Sequence, residues 1–168
     1  SEDHRRWQRP MLYEAKDIGE TVQRLNAVDY SHSIKLDGLS FRFRDAGHIF
    51  GSAFIEITEQ GGGRATFSGD IGNDNVPILR QTAQMAETDT LIIESTYGNR
   101  VHEDESTRAK KLQDAIITTI KQNGVLMIPS FAIERTQQLL YEMHELKEQG
   151  LLPPVDVYLD SPMAIEVT

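Results

Sequence analysis

Five positions in this chain carry side chains whose types and surroundings suit chemistry. The stretch "AGHIFGS" sets His48 in a turn among Ala46, Gly47, Gly51 and Ser52. An imidazole there does nothing for strand pairing, and the flanking glycines clear space around its ring, so an approaching group is expected. Asp70 closes "FSGD", Glu94 closes "TLIIE", Ser130 follows "VLMIP", and Ser161 follows "VYLD". Imidazole and carboxylate act as acids, bases and metal ligands, whereas hydroxyls donate to anionic oxygens. Each position also has an ordinary reading. Ser or Asp after a strand commonly caps the next helix, and a lone histidine beside a strand is usually a hydrogen-bonded structural residue. Glu94 resists that reading best, because it ends a buried apolar run and no basic residue follows until Arg100.

Composition narrows the chemistry. Cysteine is absent, so a disulfide framework and a thiolate metal site are both excluded. Any metal must be held by His, Asp and Glu, and the lack of cysteine suits a reducing, cytoplasmic setting. The formal net charge of −9 argues against a generic nucleic-acid coat, which relies on Lys and Arg. It weighs less against a metal-dependent nuclease, whose ions dominate the local field. No apolar run reaches the roughly 18 residues of a membrane span, and "SEDHRRWQRP" has no apolar stretch behind its charges. The 168 residues and 39% hydrophobic content suffice for one ordinary domain or parts of two.

The elements that must position these residues change character along the chain. Residues 11–27 predict a moderate helix beginning near Asp17, with Ile18, Val22 and Leu25 at helical spacing. From 33 to 70 the period falls to two: "SIKLDGLSFRF" alternates around an Asp37-Gly38 turn, "AFIEIT" follows, and "QGGGRATFSGD" turns into a third strand. This part reads as a mostly antiparallel sheet. After Asp89, "TLIIE", "VLMIP" and "VDVYLD" read as buried strands alternating with helices over "STRAKKLQDAIITTIKQNG" and "ERTQQLLYEMHELKEQG". Ser106 is the expected cap of the first helix and Gly124 its stop. That alternation predicts a parallel α/β arrangement, with Glu94, Ser130 and Asp160-Ser161 along one sheet edge. "SPMAIEVT" reads as the opening of a further helix, so the chain is expected to be the middle of something longer.

Taken together, "DAGHIFGSA", "FSGDIG", "IIESTYGNRVH", "IPSFAIERTQQLLY" and "LDSPMA" occur in an order and spacing that resembles the β-CASP branch of the metallo-β-lactamase superfamily. Members of that branch are RNA-processing nucleases, including the endonuclease of mRNA cleavage and polyadenylation. The resemblance implies a fold in two parts. Residues 1–94 would form the C-terminal portion of a metallo-β-lactamase αβ/βα sandwich, and 95–168 the first part of an inserted parallel α/β β-CASP domain. It implies that His48 ligates one zinc, that Asp70 bridges two, and that Glu94 orients site groups from behind the ligands. Ser130 and Ser161 would lie near substrate phosphates. The family's His-x-His-x-Asp-His motif is absent, since the histidines stand at 4, 32, 48, 102 and 144. The family places that motif upstream and further histidines downstream, so this chain alone would lack most zinc ligands and be inactive.

The implied activity is two-zinc hydrolysis of RNA phosphodiesters, with single-stranded DNA a possible substrate. His102 is read as a surface or capping residue and His144 as structural. Two other functions compete. One is a metallo-β-lactamase-fold hydrolase of a small molecule, which would not carry the α/β segment after "ESTYG". The other is an inactive paralogue serving as an RNA-processing scaffold, against which the retained His48 and Asp70 argue.

Overall fold

The computed structural model describes residues 11–74, 76–101 and 107–168. Its first helix, α1 (Ala15–Val22), is anchored where the Asp17 carboxylate accepts the Glu14 amide at 2.7 Å. It buries none of its residues, and Ile18 and Val22 stay more than half exposed. The helix is shorter than the 11–27 pattern suggested, because no surface receives its apolar stripe and isolated short helices are marginal in water.

Five strands follow: β1 (Ser33–Leu36), β2 (Leu39–Asp45), β3 (Ala53–Glu59), β4 (Arg64–Phe67) and β5 (Thr90–Ile92). They form one sheet in chain order, antiparallel from β1 to β4, with β5 parallel to β4. Asp37 and Gly38 both take positive φ, 47° and 79°, as a two-residue hairpin of this twist requires. The register sets Phe41 against Ile57 and Phe43 against Ile55 on one face, and Arg42 against Glu56 on the other.

The polar face is the better covered one. Phe54, Glu56 and Thr66 are buried on it under residues 82–89. That covering segment is tied down by backbone bonds. Ala83 donates to the Asp45 carbonyl at 2.9 Å and Asp89 to the Arg64 carbonyl at 3.0 Å, while the Ala86 amide meets the Glu56 carboxylate at 3.1 Å. Arg42 and Arg44 each approach that carboxylate at 3.9 Å, so its buried charge is compensated.

Beyond the sheet come α2 (Arg108–Lys121), α3 (Arg135–Glu148) and the short α4 (Pro162–Val167). α2 packs on α3, burying Ile116 and Leu146 and pairing Arg108 with Glu142 at 2.9 Å. The Ser106 cap expected for α2 lies outside the described residues. Among the described residues no helix is long and apolar enough to cross a membrane.

The mixed α/β content and the largely antiparallel sheet agree with the sequence reading. The expected parallel sheet differs. "TLI" pairs with β4 rather than with "VLMIP", and residues 125–129 and 155–160 form no strand. Their apolar side chains are exposed, with Val125 at 87% and Tyr158 at 86%. Alternation of apolar runs with helices identified strand-forming chemistry, but a strand also needs a neighbouring edge, and no described segment offers one.

Candidate metal centre

His48 sits in a turn closed almost wholly by polar bonds. As β2 ends, the Asp45 carboxylate accepts the Gly47 amide at 2.9 Å, and Gly47 enters the left-handed region at φ 64°. The Ser52 hydroxyl then accepts the amides of His48 and Ile49 at 3.0 and 3.2 Å. The Ser52 carbonyl receives the Ala46 amide at 3.1 Å and the Tyr30 hydroxyl at 2.8 Å. Burial raises the Tyr30 phenol above its ordinary value, the Asp45 charge adds to this, and Arg80 offsets part of it. Tyr30 therefore stays a proton donor to the turn.

Asp70 follows β4 through buried Ser68 and left-handed Gly69, φ 54°. Ser68 donates its amide to the Ile92 carbonyl at 2.9 Å, which carries the β4–β5 pairing into the loops. Its hydroxyl donates to the Gly69 carbonyl at 2.7 Å and accepts the Glu94 amide at 3.0 Å. Two residues beyond Asp70, the Gly72 amide donates to the Ala46 carbonyl at 2.9 Å. A Cβ at Gly72 would run into the Gly47 carbonyl and come within 2.8 Å of the His48 nitrogen. The Asp70 loop thus lies directly on the His48 turn, backbone against backbone.

Glu94 lies beneath this junction. Its carboxylate accepts the Ile71 amide at 2.6 Å. That bond, a hydrogen bond from the Thr96 side chain and the nearness of His48 hold its carboxyl below the ordinary value, against partial burial. The His48 turn, the Asp70 loop and the Glu94 carboxylate are therefore joined through main-chain bonds just beyond the ends of β2, β4 and β5.

Ser130 and Ser161 belong to the helical part of the chain. Ser130 is exposed and its hydroxyl reaches the Phe131 carbonyl at 3.4 Å. Ser161 caps α4 by accepting the Ala164 amide at 3.3 Å. His144 is exposed on α3, and His102 lies outside the described residues.

The donor set partly suits a metal. Among the described residues no hydrogen-bond partner engages the His48 ring or the Asp70 carboxylate, so both are available as ligands. No group of three or more His, Cys, Asp and Glu able to hold an ion occurs among the described residues. The chain thus offers an imidazole and a carboxylate whose chemistry suits a metal, without a complete ligand set among the described residues. Sequence reasoning missed Tyr30, Ser68 and Gly72, and named Ser52 only as a small residue, not as the acceptor that closes the turn. The two glycines around "DI" in "GDIG" were the one signal of a close backbone approach.

No family model matches the chain. Individual proteins do, and they are enzymes named for cutting RNA. The chain is 35% identical over 150 residues, 89% of its length, to ribonuclease TTHA0252 of Thermus thermophilus. It is 34% identical over 143 residues, 82% of its length, to the endoribonuclease YSH1 of Eremothecium gossypii. An RNase J-like protein of Methanocaldococcus jannaschii is 33% identical over 156 residues, 90% of this chain. The chain belongs to the β-CASP branch of the metallo-β-lactamase superfamily of RNA nucleases. It spans 34% of the length of the Thermus relative, 18% of the YSH1 protein and 37% of the archaeal one.

Proposed function

We propose that this chain supplies part of the active site of a zinc-dependent ribonuclease that hydrolyses RNA phosphodiester bonds. The observation that carries the reading is the clasp between the two loops. The Ala46 carbonyl and the Gly72 amide lock the His48 turn to the Asp70 loop, and Glu94 pins the same loop from below. Relatives named as ribonucleases and endoribonucleases support RNA as the substrate. In this reading residues 1–94 belong to the metallo-β-lactamase domain and 95–168 open the β-CASP domain.

His48 would hold one zinc through a neutral ring nitrogen, and Asp70, with two oxygens, is suited to bridging a pair. Zinc bound there would supply Lewis acidity toward the phosphodiester and lower the pKa of water to about 7. This chain's own residues do the positioning. Gly47 and Gly72 allow the two loops to touch, Ser52 and Ser68 saturate the loop amides, and Glu94 holds the Ile71 peptide. The relatives' names favour this over a small-molecule hydrolase, and the available His48 and Asp70 side chains favour it over an inactive scaffold.

End-labelled RNA and single-stranded DNA incubated with the full-length protein, with and without a chelator, test the reading. RNA cleavage that stops with chelator and returns with zinc is expected. His48→Ala and Asp70→Asn should each abolish it, and cleavage by either variant at the wild-type rate would overturn the assignment.

A further inference from the structure

The N-terminal end of α3 holds a second polar arrangement that the metal-centre reading does not use. Glu134, just before the helix, is 1% exposed and takes φ 71°, a conformation that residues with a Cβ rarely adopt. One oxygen of its carboxylate meets the Arg135 Nε at 3.3 Å, and the other has no partner among the described residues. The Arg135 Nη1 donates to the Gln138 side-chain oxygen at 2.8 Å. Gln138, itself buried, donates onward to Glu142 at 3.1 Å, and Glu142 pairs with Arg108 of α2 at 2.9 Å. The guanidinium is thus fixed through a relay of side chains reaching across to the neighbouring helix, while 46% of the Arg135 side chain remains exposed.

Simple neutralisation of Glu134 does not account for this geometry. An arginine serving a buried carboxylate normally grips both oxygens with its fork. Here it gives Glu134 one nitrogen and leaves the other carboxylate oxygen orphaned. Of the five N–H donors of a guanidinium, one bonds Gln138 and the Nε–H faces Glu134, and among the described residues no partner takes the other three on this held, solvent-facing group. That open edge matches two oxygens of a phosphate, and the ordering entropy is already met by the relay.

We propose that Arg135 is an RNA-binding residue that grips a backbone phosphate of the substrate, with Glu134 and Gln138 as the residues that position it. The proposal rests on the ribonuclease reading and adds to it a contact outside the His48–Asp70–Glu94 cluster.

The test is fluorescence anisotropy of labelled single-stranded RNA on the full-length protein, with chelator present so that nothing is cut, between about 50 and 200 mM salt. The double variant Glu134→Gln/Arg135→Gln removes both charges together and so avoids stranding a buried carboxylate. It should bind RNA on the order of tenfold more weakly at the lowest salt, with the slope of log affinity against log salt shallower by about 0.7. Arg135→Lys keeps the charge but not the fork, so it should keep the slope and lose affinity. Wild-type affinity and slope in the double variant would overturn the proposal, as would an Arg135→Lys protein binding like wild type. Failure of the ribonuclease reading shows separately, as a wild-type protein that cuts no RNA with zinc added.

Discussion

Glu94 illustrates how much one side chain settles at the candidate centre. Its carboxylate holds the Ile71 peptide at 2.6 Å, one residue from Asp70, and its own amide is held by Ser68. Because the folded state keeps this carboxyl below its ordinary value of 4.5, the unfolded chain takes up the proton first on acidification. The stabilisation is therefore complete above that ordinary value and is lost as pH falls through the lower, folded one. Thermal unfolding followed from neutral pH to about pH 4 should show a falling midpoint that Glu94→Gln flattens. In the full-length enzyme Glu94→Ala should cost on the order of 10–100-fold in zinc affinity or turnover, and unchanged zinc content with unchanged rate would reject its role. Ser68→Ala leaves the part-buried Glu94 amide unpaired and should cost about 1 kcal/mol in urea unfolding. His48, Asp70 and Glu94 were legible because each is chemically conspicuous in its stretch of sequence. Ser52, Ser68 and Tyr30 were not, since a serine or tyrosine acting on a distant backbone carries no local pattern.

Among the elements, the hairpins were legible and the pairing of β5 was not. Alternation and Asp37-Gly38 specify β1 and β2 locally, and "AFIEIT" reads as the strand it forms. "TLI" says only that a short strand is favoured, and the burial expected for it is not found, since Leu91 and Ile92 are each 46% exposed. Its partner, β4, is fixed by tertiary bonds such as Ser68 to Ile92 and Asp89 to Arg64, which no window of sequence contains. The helices α2 and α3 followed their periodicity to within a few residues. Between elements, the decisive contact is the loop junction at Gly47 and Gly72. Gly72→Ala drives a methyl group into the Gly47 carbonyl, so the loops must separate. A loss of about 1–3 kcal/mol in stability is expected, together with weaker zinc binding by calorimetry on the full-length protein. A variant matching wild type in both would show that the two loops do not need to touch.

At the scale of the whole molecule, the chain leaves much of its apolar surface in water. Its accessible area is 13,596 Å², against roughly 8,400 Å² for a compact protein of its mass. The excess includes Val125, Met127 and Tyr158, all more than four-fifths exposed, and the half-open sheet face at Phe67 and Ile92. These 168 residues prepared alone should bind a hydrophobic dye strongly and sediment as a mixture of sizes. A monodisperse, dye-silent monomer would contradict that. The loop clasp has a practical consequence. Since main-chain atoms join the Ala46 and Gly72 peptides, the mount on which the proposed donors His48 and Asp70 stand does not depend on their side chains. Swapping the imidazole for a carboxylate, or the reverse, should retune which ion is preferred while the mount itself stays intact.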